Sequence, residues 1–293
     1  MAADCGGGVP CQCGDTVKGV AVLEAPVGTC PGVGLVVTSG AVLDCAGYTL
    51  TGSNLPGAWY GIHVDGASGA VVQNCRVTSF RRGIRLRGGG GNALVGNEVF
   101  GNRYGIDLAE ATSGNRIVLN AVHDNRDEGI HVGTGVTDAQ ISGNRLIHNK
   151  YENLYLLGAS GCTVSGNLLS AAVRGAPLYL KHSSRNTFTD NEVRAGMVLV
   201  RGASEGNRFE RTRVISNGFL FQAYSDSTLG WTYPHDNAVV GGYVSTTDYC
   251  LRFAGAYDNQ VTDVTIDRCT PVLETELGGQ APTGNVIDVH PAS

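Results

Sequence analysis

Charge, methionine and tryptophan are all scarce in this chain. Asp, Glu, Lys and Arg make up only 16% of its 293 residues, and Met and Trp occur twice each. So little charge suits short strands joined by tight turns better than amphipathic helices with a wide solvated face. Basic residues are not in excess: 21 Lys and Arg stand against 26 Asp and Glu, for a net charge of -5 and a pI near 5.8. That balance excludes a general binder of nucleic acid or anionic membrane, which needs a basic face. No apolar run approaches the roughly 18 residues of a membrane span. The start, Met1-Ala2-Ala3-Asp4, lacks the apolar core of a signal peptide.

Glycine, by contrast, is abundant at 43 residues, and there are nine cysteines. Five of these, Cys5, Cys11, Cys13, Cys30 and Cys45, fall in the first 45 residues. Such crowding reads as disulfide stapling of an N-terminal cap over residues 1–33, which implies an oxidising compartment. The expectation is a secreted or periplasmic protein whose signal peptide has been removed and replaced by a start Met. Zinc is the competing reading, but Cys11-x-Cys13 has the wrong spacer and no second Cys or His pair follows at finger spacing. No metal or cofactor is expected.

Internal repetition is the main feature. Gly61-Ile-His-Val64, Gly83-Ile-Arg-Leu86, Gly105-Ile-Asp-Leu108, Gly129-Ile-His-Val132, Asn153-Leu-Tyr-Leu156 and Pro177-Leu-Tyr-Leu180 follow one another at steps of 22 or 24 residues. Weaker copies extend the series to Gly34-Leu-Val-Val37 and to Met197-Val-Leu-Val200, Phe219-Leu-Phe-Gln222 and Leu251-Arg-Phe253. Two columns of asparagine accompany it. One holds Asn92, Asn115, Asn186, Asn207, Asn237, Asn259 and Asn285, and the other Asn74, Asn97, Asn120, Asn144, Asn167 and Asn191. Asparagine tolerates left-handed backbone and its amide bonds main-chain groups, so stacked Asn residues suit the corners of successive coils.

A coil of this length with three short strands is a β-helix repeat. Leucine-rich repeats need a Leu-x-x-Leu-x-Leu frame that is missing, and propeller blades need about 40 residues. The expected fold is therefore all-β: a right-handed parallel β-helix of about ten coils of 20 to 24 residues, spanning residues 34–293 behind the cap.

Cys13-Gly-Asp-Thr-Val17, Thr29-Cys30, Gly34-Leu-Val-Val37 and Leu43-Asp-Cys-Ala-Gly-Tyr-Thr-Leu50, followed by the Asn-rich coils, resemble the opening of exported right-handed parallel β-helix proteins. These include polysaccharide lyases, uronan C5-epimerases and the periplasmic accessory proteins of nitrous oxide reductase. The resemblance covers about residues 13 to 290. It implies the fold more strongly than the activity, because this scaffold carries unrelated functions.

Strand alternation turns the residue between the two apolar positions of Gly-Ile-x-Val outward. The expected outward column is Val36, His63, Arg85, Asp107, His131, Tyr155, Tyr179, Leu199, Phe221 and Arg252, with Asp65, Arg87, Lys181 and Arg201 two positions along. At about 4.8 Å per coil, the five steps from His63 to Tyr179 cover roughly 24 Å, the length of a short oligosaccharide. Polar residues are ordinary on a solvated strand, where cross-strand pairs contribute about 0.2–1 kcal/mol. Against that bland reading, only seven His occur in the chain and two fall in this column.

Such a column matches the elimination or epimerisation of a uronic acid in a polysaccharide. Removing the proton at C5 requires a neutraliser for the adjoining carboxylate, a base and an acid. The expected roles are Arg85 as neutraliser, His131 as base oriented by Asp107, and Tyr155 as acid. His63, Tyr179, Lys181 and Arg201 would bind neighbouring sugars. Glycoside hydrolysis needs two carboxyl groups, and Asp107 would have to find a partner in Glu110, Asp127, Glu128 or Glu152. A noncatalytic carbohydrate-binding module and a small-molecule biosynthetic enzyme are further alternatives. A copper-handling role would favour clustered His and Met, and Met1 and Met197 are the only Met.

One coil is irregular. Residues 223–236 lengthen a repeat and carry Trp231, Tyr233 and His235, expected as a loop over the cleft that binds sugar. Tyr233-Pro-His-Asp236 resembles the Asp-Pro-His-Asp motif of alginate epimerases, but Asp236-Asn237 falls in register with Asp258-Asn259, which reads the pair as corner residues. His123, His148 and His182 are expected at solvated turns. Cys45 and Cys75 either pair or stack, and Cys162 reads as a buried apolar residue.

Overall fold

The computed structural model describes residues 4–54 and 59–292. Every regular element among them is a β-strand, and the strands wind into a right-handed parallel β-helix of about 12 turns rather than ten. The extra turns come from the two ends. Asp4–Cys5 and Asp15–Val17 already pair in parallel with the strands that follow them, so the expected cap is itself part of the ladder. At the other end Thr270–Thr275 and then Val286–Pro291 extend the ladder.

Three parallel faces make up each full coil. The first face carries the repeat motif, on strands such as Tyr60–Asp65, Arg82–Arg87, Tyr104–Ala109, Ile130–Val132, Leu154–Leu157 and Leu178–Lys181. Its inward positions form two buried files, Ile62, Ile84, Ile106, Ile130, Leu154 and Leu178 beside Val64, Leu86, Leu108, Val132, Leu156 and Leu180. Toward the C-terminus the filling becomes aromatic, with Phe188 stacked on Phe209 and Phe221 on Phe253.

Asparagine ladders hold the corners. Asn97, Asn120, Asn144, Asn167 and Asn191 are buried one above the next, each side-chain oxygen accepting the backbone and side-chain amides of the rung before it. The column from Asn186 to Asn285 is built in the same way. Asn74 is displaced from the ladder it was assigned to. It lies in the left-handed region and bonds Asp44. The ladder position belongs to Cys75, whose amide donates to Asn97 and whose sulfur pairs with Cys45.

A third ladder, Asn102, Asn125, Asn149 and Asn153, stands where the chain enters the first face. The glycine that heads the repeat lies beside it in a space with no room for a side chain. A Cβ at Gly83 would overlap Val99 Cγ1 and lie 2.8 Å from Asn102 Nδ2, and one at Gly105 would overlap Gly129 O and lie 2.6 Å from Val122 Cγ1.

Cys5–Cys11, Cys13–Cys30, Cys45–Cys75 and Cys250–Cys269 are disulfides, whereas Cys162 is a buried free thiol at a ladder position. One register expectation is corrected. Phe221 is fully buried, and Leu220 pairs with Leu199 in the outward file, because two phenylalanines fill the inward positions of that coil.

Asn144 accepts both amides of Asn120 and donates to Ile117 O at 2.8 Å and Asn167 Oδ1 at 2.9 Å. Asn144→Ala strands these buried groups, and urea denaturation should show a loss of about 3 kcal/mol.

Candidate functional site

Register brings the outward residues into one file. His63 pairs with Arg85, Arg85 with Asp107, Asp107 with His131, His131 with Tyr155 and Tyr155 with Tyr179. These six side chains stand on consecutive coils of the first face.

Asp107 is the hub, only 3% exposed. Its Oδ1 lies 2.9 Å from His131 Nδ1, and its Oδ2 lies 2.6 Å from Arg82 Nε and 3.6 Å from Arg85 Nε. Burial opposes the charge, yet the bond to His131 and the two guanidinium groups hold the carboxyl below its ordinary range. Arg85 already has partners: Nη1 donates to Tyr60 Oη at 3.1 Å and Nη2 to Glu110 Oε1 at 3.2 Å, while its buried Nε makes no hydrogen bond. Arg87 joins the same cluster through Glu110 and Asp65. His63 stacks on Tyr60, and burial, reinforced by Arg85 and Arg87 against the pull of Asp65, lowers its pKa.

Beyond His131 the file becomes aromatic. The His131 and Tyr155 rings are 5.5 Å apart, and Tyr155 stacks on Tyr179 at 4.9 Å. Burial pushes both phenols above their ordinary range, for Tyr179 against the pull of Arg201.

Two flanking files complete the face. Tyr60, Arg82, Tyr104, Glu128 and Glu152 each precede the residue that heads the motif. Sequence reasoning named Glu128 and Glu152 only as possible partners for Asp107; their signal is the position immediately before Gly129 and Asn153. Burial raises both carboxyls, with Glu128 adding to the effect on Glu152, which reaches about 7. On the other flank Lys181 and Arg201 pair in register. Neither has a carboxylate within salt-bridge distance among the described residues, and Arg201 Nε is buried without a hydrogen-bond partner.

Both cations face Tyr224, with Lys181 Nζ 3.8 Å and Arg201 Cζ 5.2 Å from its ring centre. Tyr224 lies on a small antiparallel hairpin, Tyr224–Asp226 against Gly230–Thr232, formed by the insertion in the irregular coil. Sequence reasoning missed it, since nothing local distinguishes this tyrosine. His182 is not a solvated bystander either. It accepts the Ala203 amide at 3.1 Å, meets Tyr224 edge-on and lies 3.7 Å from Asp226, so it anchors the hairpin.

The aromatic residues expected over the cleft are placed elsewhere. Trp231, 44% exposed, packs against Gly278, and Tyr233 donates to Gly278 O at 2.7 Å, tying the hairpin to the last coil. His235 stacks on Tyr257 in a corner ladder beside Glu205, and Asp236 and Asn237 are corner residues.

Glu152 makes stability pH-dependent in a definite sense. Its folded pKa of about 7 stands above the ordinary 4.5, so the stability it contributes is present below about 4.5 and lost as pH rises through 7. Thermal melts should show E152Q gaining on the wild type across that interval.

The fold is shared with carbohydrate-active β-helix enzymes. The periplasmic alginate epimerase AlgG superposes with a TM-score of 0.65 at 16% identity, covering 96% of this chain and 68% of that one. The Azotobacter vinelandii mannuronan C-5 epimerase AlgE4 A-module gives 0.56 at 16% identity, covering 88% of each. A DFA-IIIase from Arthrobacter chlorophenolicus A6, in complex with GF2, gives 0.51 at 12% identity over 90% and 79%. No curated protein matches the sequence. The model of a family described as periplasmic copper-binding protein (NosD) matches residues 39–232. Copper prefers thiolate, thioether and imidazole donors. Here eight cysteines are oxidised, the ninth is buried, and no group of three His, Cys, Asp or Glu side chains is placed to hold a metal ion among the described residues. These residues do not fit a copper centre. By the extent of the family match, on a solenoid that carries it throughout, the chain belongs to the NosD family.

Proposed function

We propose that this protein is an exported or periplasmic carbohydrate-active enzyme, a β-elimination lyase or C5-epimerase acting on a uronate-containing polysaccharide along the first face. The observation that carries the reading is the His131–Asp107 pair standing beside a stacked tyrosine platform, with two cations, Lys181 and Arg201, at its far edge that have no acidic partner among the described residues.

His131 is the base. Its Nδ1 is held by Asp107, which leaves Nε2 to take the C5 proton. A sugar ring stacks on Tyr155 and Tyr179. Its carboxylate is neutralised by Lys181 and Arg201 rather than by Arg85, whose guanidinium already serves Asp107, Glu110 and Tyr60. Arg82 and Arg85 keep Asp107 charged and in place. His63 lies farther along the same groove as an outer subsite. The periplasmic setting of the family and of AlgG supports export, as do the four disulfides.

Incubation with a panel of uronans tests this directly. Ultraviolet absorbance of an unsaturated uronate marks elimination, and solvent deuterium entering C5 marks epimerisation. His131→Ala should lower turnover by at least about 100-fold while the fold stays intact by circular dichroism. Retention of uronans without turnover would make the face a binding module instead.

A further inference from the structure

The third asparagine ladder carries a file of cations on its outer side. Arg81, Arg103, Arg126 and Lys150 each follow the residue at the ladder position, whose amide donates to the asparagine side chain of the next rung. The ladder residue points inward, so the residue after it points outward. Backbone bonds fix the stacking. The Arg103 amide donates to Phe80 O at 2.9 Å, the Arg126 amide to Asn102 O at 2.8 Å and the Lys150 amide to Asn125 O at 3.0 Å, which sets each of the three over the cation of the coil before. The three arginines are exposed and the lysine is half-buried. At about 4.8 Å per coil the file is about 14 Å long, and it runs along the solenoid axis.

Like charges on adjacent rungs repel, and stacking them costs stability. Elsewhere the same kind of register sets acid over base: Glu98 stands over Arg76 with the charged groups 3.1 Å apart, and Arg213 over Glu192 with 3.6 Å between them. The corner file has one such partner, Asp127, whose Oδ2 lies 3.3 Å from Arg103 Nε. Among the described residues Arg81, Arg126 and Lys150 reach no carboxylate. Aromatic rings accompany the file instead. Arg81 Cζ lies 4.8 Å from the centre of a Trp59 ring, Arg103 Cζ 5.1 Å from that of Tyr104 and Lys150 Nζ 5.7 Å from that of Tyr151. Such contacts orient a cation and leave its charge in place. A chain of net charge -5 thus keeps base over base on four consecutive coils, where its own acids could have been set between them.

We propose that this corner file is a docking track for an acidic polysaccharide, outside the groove, with uronate carboxylates held at its rungs. The proposal rests on the uronan reading of the first face. Charge complementarity selects a linear polyanion, because the cations stand in single file and a narrow chain meets that file alone. A membrane or a nucleic-acid duplex presents a broad anionic surface, which the net negative charge of the protein repels. The file also spans the coils of Arg85, Asp107, His131 and Tyr155, four or five residues before each of them. A long chain held at the corner therefore keeps its other segments at high local concentration beside the groove, an advantage that a short oligosaccharide lacks.

The test combines Arg81→Gln, Arg126→Gln and Lys150→Gln in one variant, which keeps the Arg103–Asp127 pair and touches no groove residue. Its affinity for alginate or polygalacturonate should fall at least about tenfold at low salt. That difference should vanish near about 1 M salt, where charges act only within about 3 Å. The melting temperature should not fall, since the charges removed repelled one another. On whichever uronan the wild type turns over, KM for the polymer should rise at least about tenfold with kcat unchanged, while KM for its trisaccharide stays in place. Full retention of polymer affinity by the variant overturns the track, as does wild-type binding to neither polymer, or tighter binding to duplex DNA or phosphatidylserine vesicles. Turnover of a trisaccharide keeps the groove reading through any of those results. Polymer binding that depends on the three cations, with no uronan turned over, keeps the track and removes the enzyme reading of the groove.

Discussion

Each coil of this solenoid turns three corners, and at every corner backbone amides and carbonyls leave the strand ladder while still shielded from water. Left unpaired, each such group costs about 1–3 kcal/mol. The asparagine ladders supply the missing partners, one rung per coil, and bond each rung to the next. This does more than satisfy polar groups. A rung that bonds both its own coil and its neighbour fixes the register between coils, and register is what places residues more than a hundred positions apart in a single file. The disulfide Cys45–Cys75 continues one ladder by covalent means where the asparagines stop.

On that scaffold, charge is sorted along the axis of the first face. In the lower coils acids and bases are matched: Arg82 and Arg85 with Asp107, Arg85 and Arg87 with Glu110, Arg87 with Asp65. In the upper coils they are not. Glu128 and Glu152 line one flank with raised pKa values, and Lys181 and Arg201 line the other without an acidic partner among the described residues. The matched half is a rigid support that holds His131 by way of Asp107. The unmatched half keeps its acids and bases on opposite flanks, and groups fixed in advance in such surroundings need little rearrangement when charge develops.

The hairpin within the irregular coil belongs to this second half. Its tyrosine covers both cations, His182 and Asp226 steady its lower side, and Tyr233 with Gly278 fastens its upper side to the last coil. A single insertion thus stands over one flank of the first face without disturbing the ladders, since Asn207 bonds Asn237 directly across it.

The period of the repeat, the inward pairs of apolar residues and two of the three asparagine columns were written in the sequence, because each depends only on strand alternation and on a corner recurring every 22 to 24 residues. The same alternation aligned His63, Arg85, Asp107, His131, Tyr155 and Tyr179 before any coordinates. It erred only where local composition changed, at Asn74 beside a disulfide and at Phe221 among stacked aromatics. Tertiary structure alone decided which charges pair, that Arg85 has an acidic partner while Lys181 and Arg201 have none among the described residues, and that Tyr224 rather than Trp231 meets those two cations. Those outcomes depend on side-chain reach between coils and on how an inserted hairpin packs. Neither has a period, so neither leaves a trace in the spacing of residues.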